Sequence, residues 1–280
     1  MSDRSTIVQQ HYTQTNLAER LLAALKQAGK DPNAFTREDL AGIEEFHLRG
    51  RDATRDLARL AEWQAGTHVL DIGCGIGGPA RTLAAEFGCR VTGIDLTEEF
   101  VRTARELTTR LKLDSNISFR QGDALNLPFD AADFDGAIIE HVNMNIEDKP
   151  RLFKQIARVL RPGGRLALCE ICAGPQGGVH YPVPWAPDAS VSFLVRPDEL
   201  QLAVESAGLR MLQWQDVTSS SQQWFEARLA AMKATAPGQL PPLGINLVMG
   251  ADAAAKAQNA LRNLQEHRIE VVQGVFVRSE

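Results

Sequence analysis

The stretch that decides the fold is Val69-Leu-Asp-Ile-Gly-Cys-Gly-Ile-Gly-Gly78, an apolar run that ends in an acid and then enters a glycine-rich turn. The apolar run predicts a buried strand, and the glycines predict a turn that opens a helix. Gly73, Gly75 and Gly77 would let the backbone approach a bound ligand closely, because no Cβ intrudes. Asp71 ends the strand, where its carboxylate can accept hydrogen bonds from an ammonium group or through water.

Downstream of this turn, short apolar runs alternate with segments of helical periodicity. Apolar strands spaced by helices imply right-handed crossovers and a parallel sheet. The predicted fold is therefore α/β, a Rossmann-like, seven-stranded, mostly parallel sheet with helices on both faces. The predicted strands are His68–Ile72, Arg90–Asp95, Ile117–Gln121, Phe134–Glu140, Arg165–Ala173, Met211–Val217 and Arg268–Arg278. The predicted helices between and after them are Gly78–Phe87, Thr97–Leu111, Glu147–Leu160, Arg196–Ala207, Gln222–Lys233 and Ala251–Glu266.

Two kinds of segment flank this pattern. The N-terminal part has helical periodicity in three runs, over Val8–Gly29, from about Thr36, and from Ala53 to Trp63. Gly174–Pro187 is too rich in glycine and proline for a helix or strand, which predicts a long ordered loop. We therefore predict an N-terminal helical lid over residues 1–64 and an α/β domain over residues 65–280, with cap segments at about 174–195 and 218–266.

Three acids end predicted parallel strands. Asp95 follows the second strand, 24 residues after Asp71, where it can accept both hydroxyls of a ribose. Asp123 follows the third strand and can accept a hydrogen bond from an adenine amino group. Ligands of open α/β sheets bind at the carboxyl ends of the strands, so these acids predict a ligand site there.

An alternative is a dinucleotide site, because Gly73, Gly75 and Gly78 also match G-x-G-x-x-G. The acidic rim argues against it, since carboxylates repel a pyrophosphate. A short-chain dehydrogenase would also need a Tyr-x-x-x-Lys pair. Tyr12 and Tyr181 are followed four residues later by asparagine and tryptophan. A nicotinamide-dependent oxidoreductase is therefore the less favoured interpretation.

Four motifs follow one another along the chain: Val69–Gly78, Gly93–Asp95, Gly122–Phe129 and Leu160–Gly164. Together they resemble the motifs of one enzyme family, the class I S-adenosylmethionine-dependent methyltransferases. Their order and spacing cover about residues 67–173. Within this family the chain resembles the small-molecule branch that includes the sarcosine/dimethylglycine and the ubiquinone/menaquinone methyltransferases.

The resemblance implies S-adenosylmethionine as the cofactor and assigns residues to its parts. Glu140 and His141, just beyond the fourth strand, would flank the methionine part and the acceptor. Asp71, Gly73 and Gly75 would contact the methionine part, and Gly77 belongs to the same turn. Asp95 and Leu96 would contact the ribose and the adenine edge. Asp123 and Ala124 would contact the base.

The candidate general base is His141, because its position beyond the fourth strand would place it over the donor sulfur. A helix-cap or hinge role suits the same position. The candidate substrate contacts lie in segments that are expected to fold over the pocket. For the two histidines and the tryptophan in this set, the alternative is a role in packing. These candidates are Tyr12, His47, Asn145, His180 and Trp185.

The predicted reaction is an in-line methyl transfer to a small-molecule acceptor. Such a displacement depends mainly on alignment and exclusion of water. An amine nitrogen is favoured as acceptor, and a phenol or quinone oxygen or carbon stays open. The alternative from another class is a cofactor-binding sensor or interaction subunit without catalysis.

Composition narrows the partners of the chain. Its 280 residues carry a formal net charge of −5, and no basic stripe of the kind that binds nucleic acid is present. No apolar run is long enough to cross a bilayer, so the sequence predicts no membrane span. Histidines and carboxylates do not cluster at ligand spacing, so it predicts no metal site. Its four cysteines are few for a chain of this length, which predicts a cytoplasmic protein without a disulfide framework. Cys169 and Cys172 have C-x-x-C spacing, but side chains three apart in a strand face opposite sides. A homo-oligomer is compatible with the sequence.

Overall fold

The computed structural model describes residues 16–233, 246–250 and 252–279. They contain a seven-stranded sheet with the strand order β3-β2-β1-β4-β5-β7-β6. Strands β1 to β5 are parallel to one another, whereas β7 is antiparallel to both β5 and β6. The predicted Rossmann-like α/β fold is confirmed. The strands are β1 His68–Ile72, β2 Arg90–Asp95, β3 Ile117–Gln121, β4 Phe134–Glu140, β5 Leu160–Ala173, β6 Leu209–Asp216 and β7 Ile269–Arg278.

Helices cover both faces of the sheet, and two separate apolar clusters fill the space between. Cys169 belongs to one cluster and Cys172 to the other. The two thiols therefore face opposite sides of the sheet, as their spacing predicts. The helices are α1 Leu17–Gln27, α2 Arg37–Leu40, α3 Arg51–Leu60, α4 Gly78–Phe87, α5 Glu98–Arg110, α6 Lys149–Val159, α7 Pro197–Glu205, α8 Thr218–Lys233, α9 Asn246–Met249 and α10 Ala253–Gln265.

Strand β5 is longer than its apolar pattern predicts. Leu160, predicted to end a helix, instead pairs with Phe134 of β4. The register then shifts, and pairing resumes between Arg165 and Gly136. A Cβ on Gly164 would lie 2.8 Å from the Arg161 carbonyl oxygen, so glycine permits the local bulge. The predicted boundary at Arg165 was wrong because these polar and glycine residues obscure the strand.

The N-terminal segment is less helical than predicted. The run from Thr36 forms only the short helix α2, and the chain then turns, with the N–H groups of Ile43 and Glu44 both bonded to the Leu40 carbonyl. Helix α1 is amphipathic, and its buried leucines pack with Phe100 of α5 in a third apolar cluster. Tyr12 and the start of the first predicted helix lie outside the described residues. The lid as a separate unit remains a prediction.

A buried ion pair fixes the turn after α2 to the glycine-rich turn. Arg81 in α4 donates two hydrogen bonds to Glu44 Oε2, at 3.0 and 2.8 Å, and both side chains are fully buried. Arg51, at the start of α3, donates to the other Glu44 oxygen at 2.6 Å. Thr108 of α5 accepts a third hydrogen bond from Arg81. One carboxylate thus connects the N-terminal segment with α3 and α4.

This network gives a prediction about stability. Glu44→Gln should lower the free energy of unfolding by about 3 kcal/mol, because it leaves the Arg81 guanidinium buried without a matching charge. Glu38→Gln is the matched control, since the Glu38 side chain is 76% exposed and its loss should cost less than about 1 kcal/mol. Urea denaturation of both variants measures the difference. Equal stability of the two variants would contradict the account.

Candidate functional site

A cavity of about 650 Å³ lies at the carboxyl edge of the parallel strands. It is the place where an open α/β sheet binds its ligands. Most of the residues selected from the sequence contribute to its wall, and they come from four strand ends, the N-terminal segment and the cap. Those in the wall are Gly73, Gly75, Asp95, Leu96, Asp123, Ala124, Glu140, His141, His47, Asn145 and Trp185.

The glycine-rich turn forms the floor of the cavity. Gly73 and Gly75 have φ angles of 71° and 50°, which side chains rarely adopt. A Cβ on Gly73 would lie 2.3 Å from a methyl group of Val142, and a Cβ on Gly75 would lie 3.1 Å from the Phe46 ring. Side chains here would therefore clash with the two segments that enclose the cavity. Gly77 lies outside the wall, where its missing side chain leaves room for Phe119 and Arg81.

Asp95 and Asp123 are held in place by backbone donors. Asp95 accepts hydrogen bonds from the N–H of Gly75 at 3.0 Å and of Thr97 at 2.8 Å, one on each oxygen. Asp123 accepts one from the N–H of Leu125 at 2.8 Å. A carboxylate oxygen can accept more than one hydrogen bond, so both side chains keep capacity for a ligand hydroxyl or amino group.

Three acids beside the glycine-rich turn, Glu45, Asp71 and Glu140, form a cluster around His47. His47 Nε2 lies 2.9 Å from Glu45 Oε2, and its Nδ1 lies 3.6 Å from Glu140 Oε1. The Thr54 hydroxyl donates to the other Glu140 oxygen at 2.9 Å. Asp71 belongs to the cluster but lies behind the cavity wall. Within the described part of the chain, Glu45 Oε1, Asp71 Oδ2 and Glu140 Oε1 have no hydrogen-bond partner.

Burial and mutual repulsion set the protonation of this cluster. Burial, together with the Glu140 and Glu45 carboxyls, raises the pKa of Asp71 well above its usual range. Burial raises the pKa of Glu140 to about 7, although His47 opposes the shift. Burial disfavours the imidazolium of His47, but the neighbouring carboxyls outweigh it and raise the pKa of His47 to about 9. Bound protons or a cationic ligand would therefore stabilise this cluster of acids.

His141 follows β4 and has a φ of 53°, which turns the chain toward the cavity. Its ring centroid lies 6.0 Å from that of His47, edge to face. Burial and the charge of His47 lower the pKa of His141 well below its usual range, so the imidazole is neutral. Its Nε2 has no hydrogen-bond partner among the described residues.

Two buried side chains that the sequence analysis missed hold the turn after His141. Glu170 in β5 accepts hydrogen bonds from the N–H groups of Val142 and Asn143, at 3.2 to 3.3 Å. Lys149 Nζ donates to the carbonyls of Asn143, Ile146 and Phe193. Phe193 belongs to the cap, so Lys149 connects the cap to the turn. No sequence signal marked either residue, since both lie inside regular elements.

The cap forms an apolar end of the cavity. Trp185 is buried and its indole N–H donates to Ser192, while Asn145 donates to the carbonyls of Trp185 and Val191. Phe193, Trp224 and Phe225 of the cap segments, which the sequence analysis did not select, also line the cavity. Phe46 and Phe100 line it as well, with ring centroids 5.6 Å apart, on the side of the glycine-rich turn. Their separation along the sequence hid them.

His180 was expected to face the pocket, but the structure places it outside the cavity wall. Its Nε2 lies 2.9 Å from Glu266 Oε2, and its backbone N–H donates to Asn263. Both partners belong to the C-terminal helical region, so His180 fixes the cap loop to it. This differs from the substrate contact that the sequence analysis expected.

The described residues contain no group of three or more histidine, cysteine, aspartate or glutamate side chains that could hold a metal ion. Over the ranges 16–233, 246–250 and 252–279, no helix has the length and apolar character needed to cross a bilayer. That no metal is required remains a prediction.

Comparison with known proteins identifies the family. Residues 70–168 match the family described as a methyltransferase domain. The chain is 32% identical to an O-methyltransferase, resE, of Aspergillus sclerotiorum over 185 residues, which are 64% of this chain and 69% of that protein. It is 33% identical to the 27-O-demethylrifamycin SV methyltransferase of Amycolatopsis mediterranei over 199 residues, 70% of this chain and 72% of that protein. The chain therefore belongs to the class I S-adenosylmethionine-dependent methyltransferases.

The fold agrees with a solved structure of the same kind. Phosphoethanolamine N-methyltransferase 2 of Haemonchus contortus, in complex with S-adenosyl-L-methionine, superposes with a TM-score of 0.75 at 19% identity, covering 100% of this chain and 60% of that one. The expected cofactor and the expected reaction class, methyl transfer to a small-molecule acceptor, are confirmed.

The raised pKa values predict how stability depends on pH. A group whose pKa is raised by folding stabilises the protein at low pH, and this contribution is lost as the pH rises through the folded-state value. Burial raises the pKa of Glu170 to about 8, and that of His47 is about 9. The free energy of unfolding should therefore fall between pH 7 and 8, by on the order of 1 kcal/mol.

Urea denaturation at pH 7.0, 7.5 and 8.0 measures this slope. In His47→Gln the slope should become shallower, because that variant has no imidazole to lose its proton. A free energy of unfolding that rises over this range in the wild-type protein would contradict the assignment of these protons.

Proposed function

We propose that this methyltransferase acts on a hydroxyl oxygen of a bulky, mostly apolar small molecule. The observation that carries the proposal is His141, a neutral imidazole with an unpartnered nitrogen, in the wall of a cavity whose far end is aromatic. A hydroxyl must lose its proton as it attacks, and a neutral imidazole can accept it. The relatives named O-methyltransferase and 27-O-demethylrifamycin SV methyltransferase support an oxygen acceptor.

The donor would lie along the strand ends. Asp123 and Asp95, at the ends of β3 and β2, would bind the adenine amino group and the ribose hydroxyls, with Leu96 and Ala124 against the base. Gly73 and Gly75 would let the backbone approach the methionine part, and the Glu140 oxygen that has no hydrogen-bond partner among the described residues suits a positive group there. Bound S-adenosylmethionine supplies an electrophilic methyl group on a sulfonium. The residues present fit this cofactor.

The acceptor would occupy the aromatic end of the cavity. Its hydroxyl would donate its proton to His141, while Trp185 and the other aromatic side chains exclude water from the reacting atoms. Asn145 and Lys149 would act indirectly, by holding the cap against the turn that carries His141. The attacking oxygen gains the methyl carbon, and the bond from carbon to sulfur breaks with its electrons staying on sulfur.

An amine nitrogen, which the sequence analysis put first, takes second place in this proposal. A neutral amine can attack without a base, whereas a hydroxyl must lose its proton, so the neutral imidazole of His141 favours an oxygen acceptor. The cytoplasm remains the predicted location. A small-molecule substrate without nucleic acid remains the expected partner, and a homo-oligomer stays compatible with it.

Two variants separate donor binding from turnover. Asp95→Ala should weaken S-adenosylhomocysteine binding about ten- to hundredfold, because two ribose hydroxyls lose their acceptor. His141→Ala should leave that affinity within about twofold but lower kcat about 10² to 10⁴-fold, because the general base is lost. Calorimetry measures the first effect. Transfer of tritiated methyl groups to matched panels of phenols, aliphatic alcohols and amines measures the second. Methylation of the amines alone, or full activity of His141→Ala, would contradict the proposal.

A further inference from the structure

Glu45 is a buried acid that the sequence analysis did not select for the donor site. Its side chain is only 3% exposed and contributes to the cavity wall. One carboxylate oxygen, Oε2, pairs with His47 at 2.9 Å. The other, Oε1, is buried and has no hydrogen-bond partner in the part of the chain that the structure describes. A buried carboxylate oxygen without a partner is costly, which indicates that a ligand completes the site.

The local backbone brings Glu45 close to the glycine-rich turn. A Cβ on Gly78 would lie 2.9 Å from Glu45 Cδ and 2.3 Å from the Glu44 carbonyl oxygen. Glycine at this position therefore lets the N-terminal segment lie directly against the start of α4. The ion pair between Glu44 and Arg81 fixes the segment there, one residue before Glu45.

The strand order shows which end of an elongated ligand Glu45 can contact. Strands β3 and β2 carry Asp123 and Asp95, and the next strands in the sheet are β1 and then β4. Glu140 ends β4 and shares His47 with Glu45. An adenosine group over Asp95 and Asp123 therefore leaves the amino-acid end of the donor beside Glu45 and Glu140.

The charges of the cluster agree with a cationic ligand. Its three acids surround one histidine, and the nearby Arg49 is ion-paired with Asp56, so the fully ionised cluster has an excess of negative charge. Burial raises the pKa of Asp71, and repulsion from the Glu140 and Glu45 carboxyls raises it further. S-adenosylmethionine carries an ammonium and a sulfonium against one carboxylate, so its net charge is positive. S-adenosylhomocysteine lacks the sulfonium, and 5′-methylthioadenosine lacks the whole amino-acid end.

We propose that Glu45 binds the cationic amino-acid end of the donor, with its free carboxylate oxygen accepting a hydrogen bond from the ammonium group. This inference rests on the donor site proposed above. The N-terminal segment is then a part of the donor site, and its Glu45 carboxylate favours a positively charged ligand. Glu140 contributes to the same field from the opposite side of His47.

The test is calorimetric titration of the full chain with three ligands, S-adenosylmethionine, S-adenosylhomocysteine and 5′-methylthioadenosine. Glu45→Gln keeps an oxygen that can accept from His47 but removes the charge. It should weaken S-adenosylmethionine binding about tenfold or more and weaken S-adenosylhomocysteine binding less. Binding of 5′-methylthioadenosine should change less than about twofold, because that ligand does not reach Glu45.

Two further variants separate the effect of the Glu45 charge on ligand binding from the effect of a changed side-chain packing. Glu45→Asp keeps the charge on a shorter side chain and should weaken S-adenosylmethionine less than Glu45→Gln does. Glu38→Gln, on the same segment but exposed, should bind all three ligands as the wild type does. Unchanged S-adenosylmethionine affinity in Glu45→Gln, or an equal loss for all three ligands, would overturn the assignment. Failure of the wild type to bind 5′-methylthioadenosine at all would instead contradict the adenosine site proposed above.

Discussion

The close approach of two backbone segments is the constraint on which the rest of the site depends. The glycine-rich turn after β1 has no side chains at Gly73, Gly75 and Gly78. The N-terminal segment lies in the space left at Gly75 and Gly78, and Val142 of the turn after β4 lies in the space left at Gly73. This contact places the Phe46 ring over Gly75 and brings a buried acid beside the turn. The cavity therefore has a floor and a wall that are separated by some thirty residues of sequence. A side chain at Gly78 would meet the Glu44 carbonyl and push this wall away.

The buried charges follow from the same contact. Arg81 points toward the N-terminal segment and is neutralised there by Glu44, so it does not offset the acids of the cavity. At the methionine end His47 lies between the acids, and Arg49, which also acts on Glu140, is ion-paired with Asp56. The oxygens there that have no hydrogen-bond partner among the described residues suit a cationic ligand. His141 lies next to this cluster, with its ring centroid 6.0 Å from that of His47, and is kept neutral by burial and by the charge of His47. His47 thus offsets the negative charge of the carboxylates, whereas His141 stays available as a base.

The sequence predicted the sheet well because each strand has a local signature. Four of the five parallel strands have the bounds that their apolar runs predict, and the fifth is extended only where the Arg161–Gly164 bulge interrupts the pattern. The acids at the strand ends could be located for the same reason, since topology brings strand ends to one edge.

What the sequence could not predict depends on contacts between distant segments. Glu45 stands next to another glutamate, and nothing local distinguishes the one that pairs with Arg81 from the one at the cavity wall. Glu170 and Lys149 lie inside a strand and a helix, and their role appears only when β5, the turn after β4 and the cap come together. His180 had the residue type of a site residue, but its neighbours Glu266 and Asn263 come from the C-terminal region.

A crystal structure of the complex with S-adenosylhomocysteine tests the central claim most directly. The account predicts that the adenine lies beside Asp123, the ribose hydroxyls beside Asp95, and the amino group of the amino-acid end beside Glu45. It also predicts that the sulfur faces His141 and the unfilled aromatic end of the cavity. A ligand bound in the reverse direction along the strand ends, or with the N-terminal segment displaced from the glycine-rich turn, would contradict it.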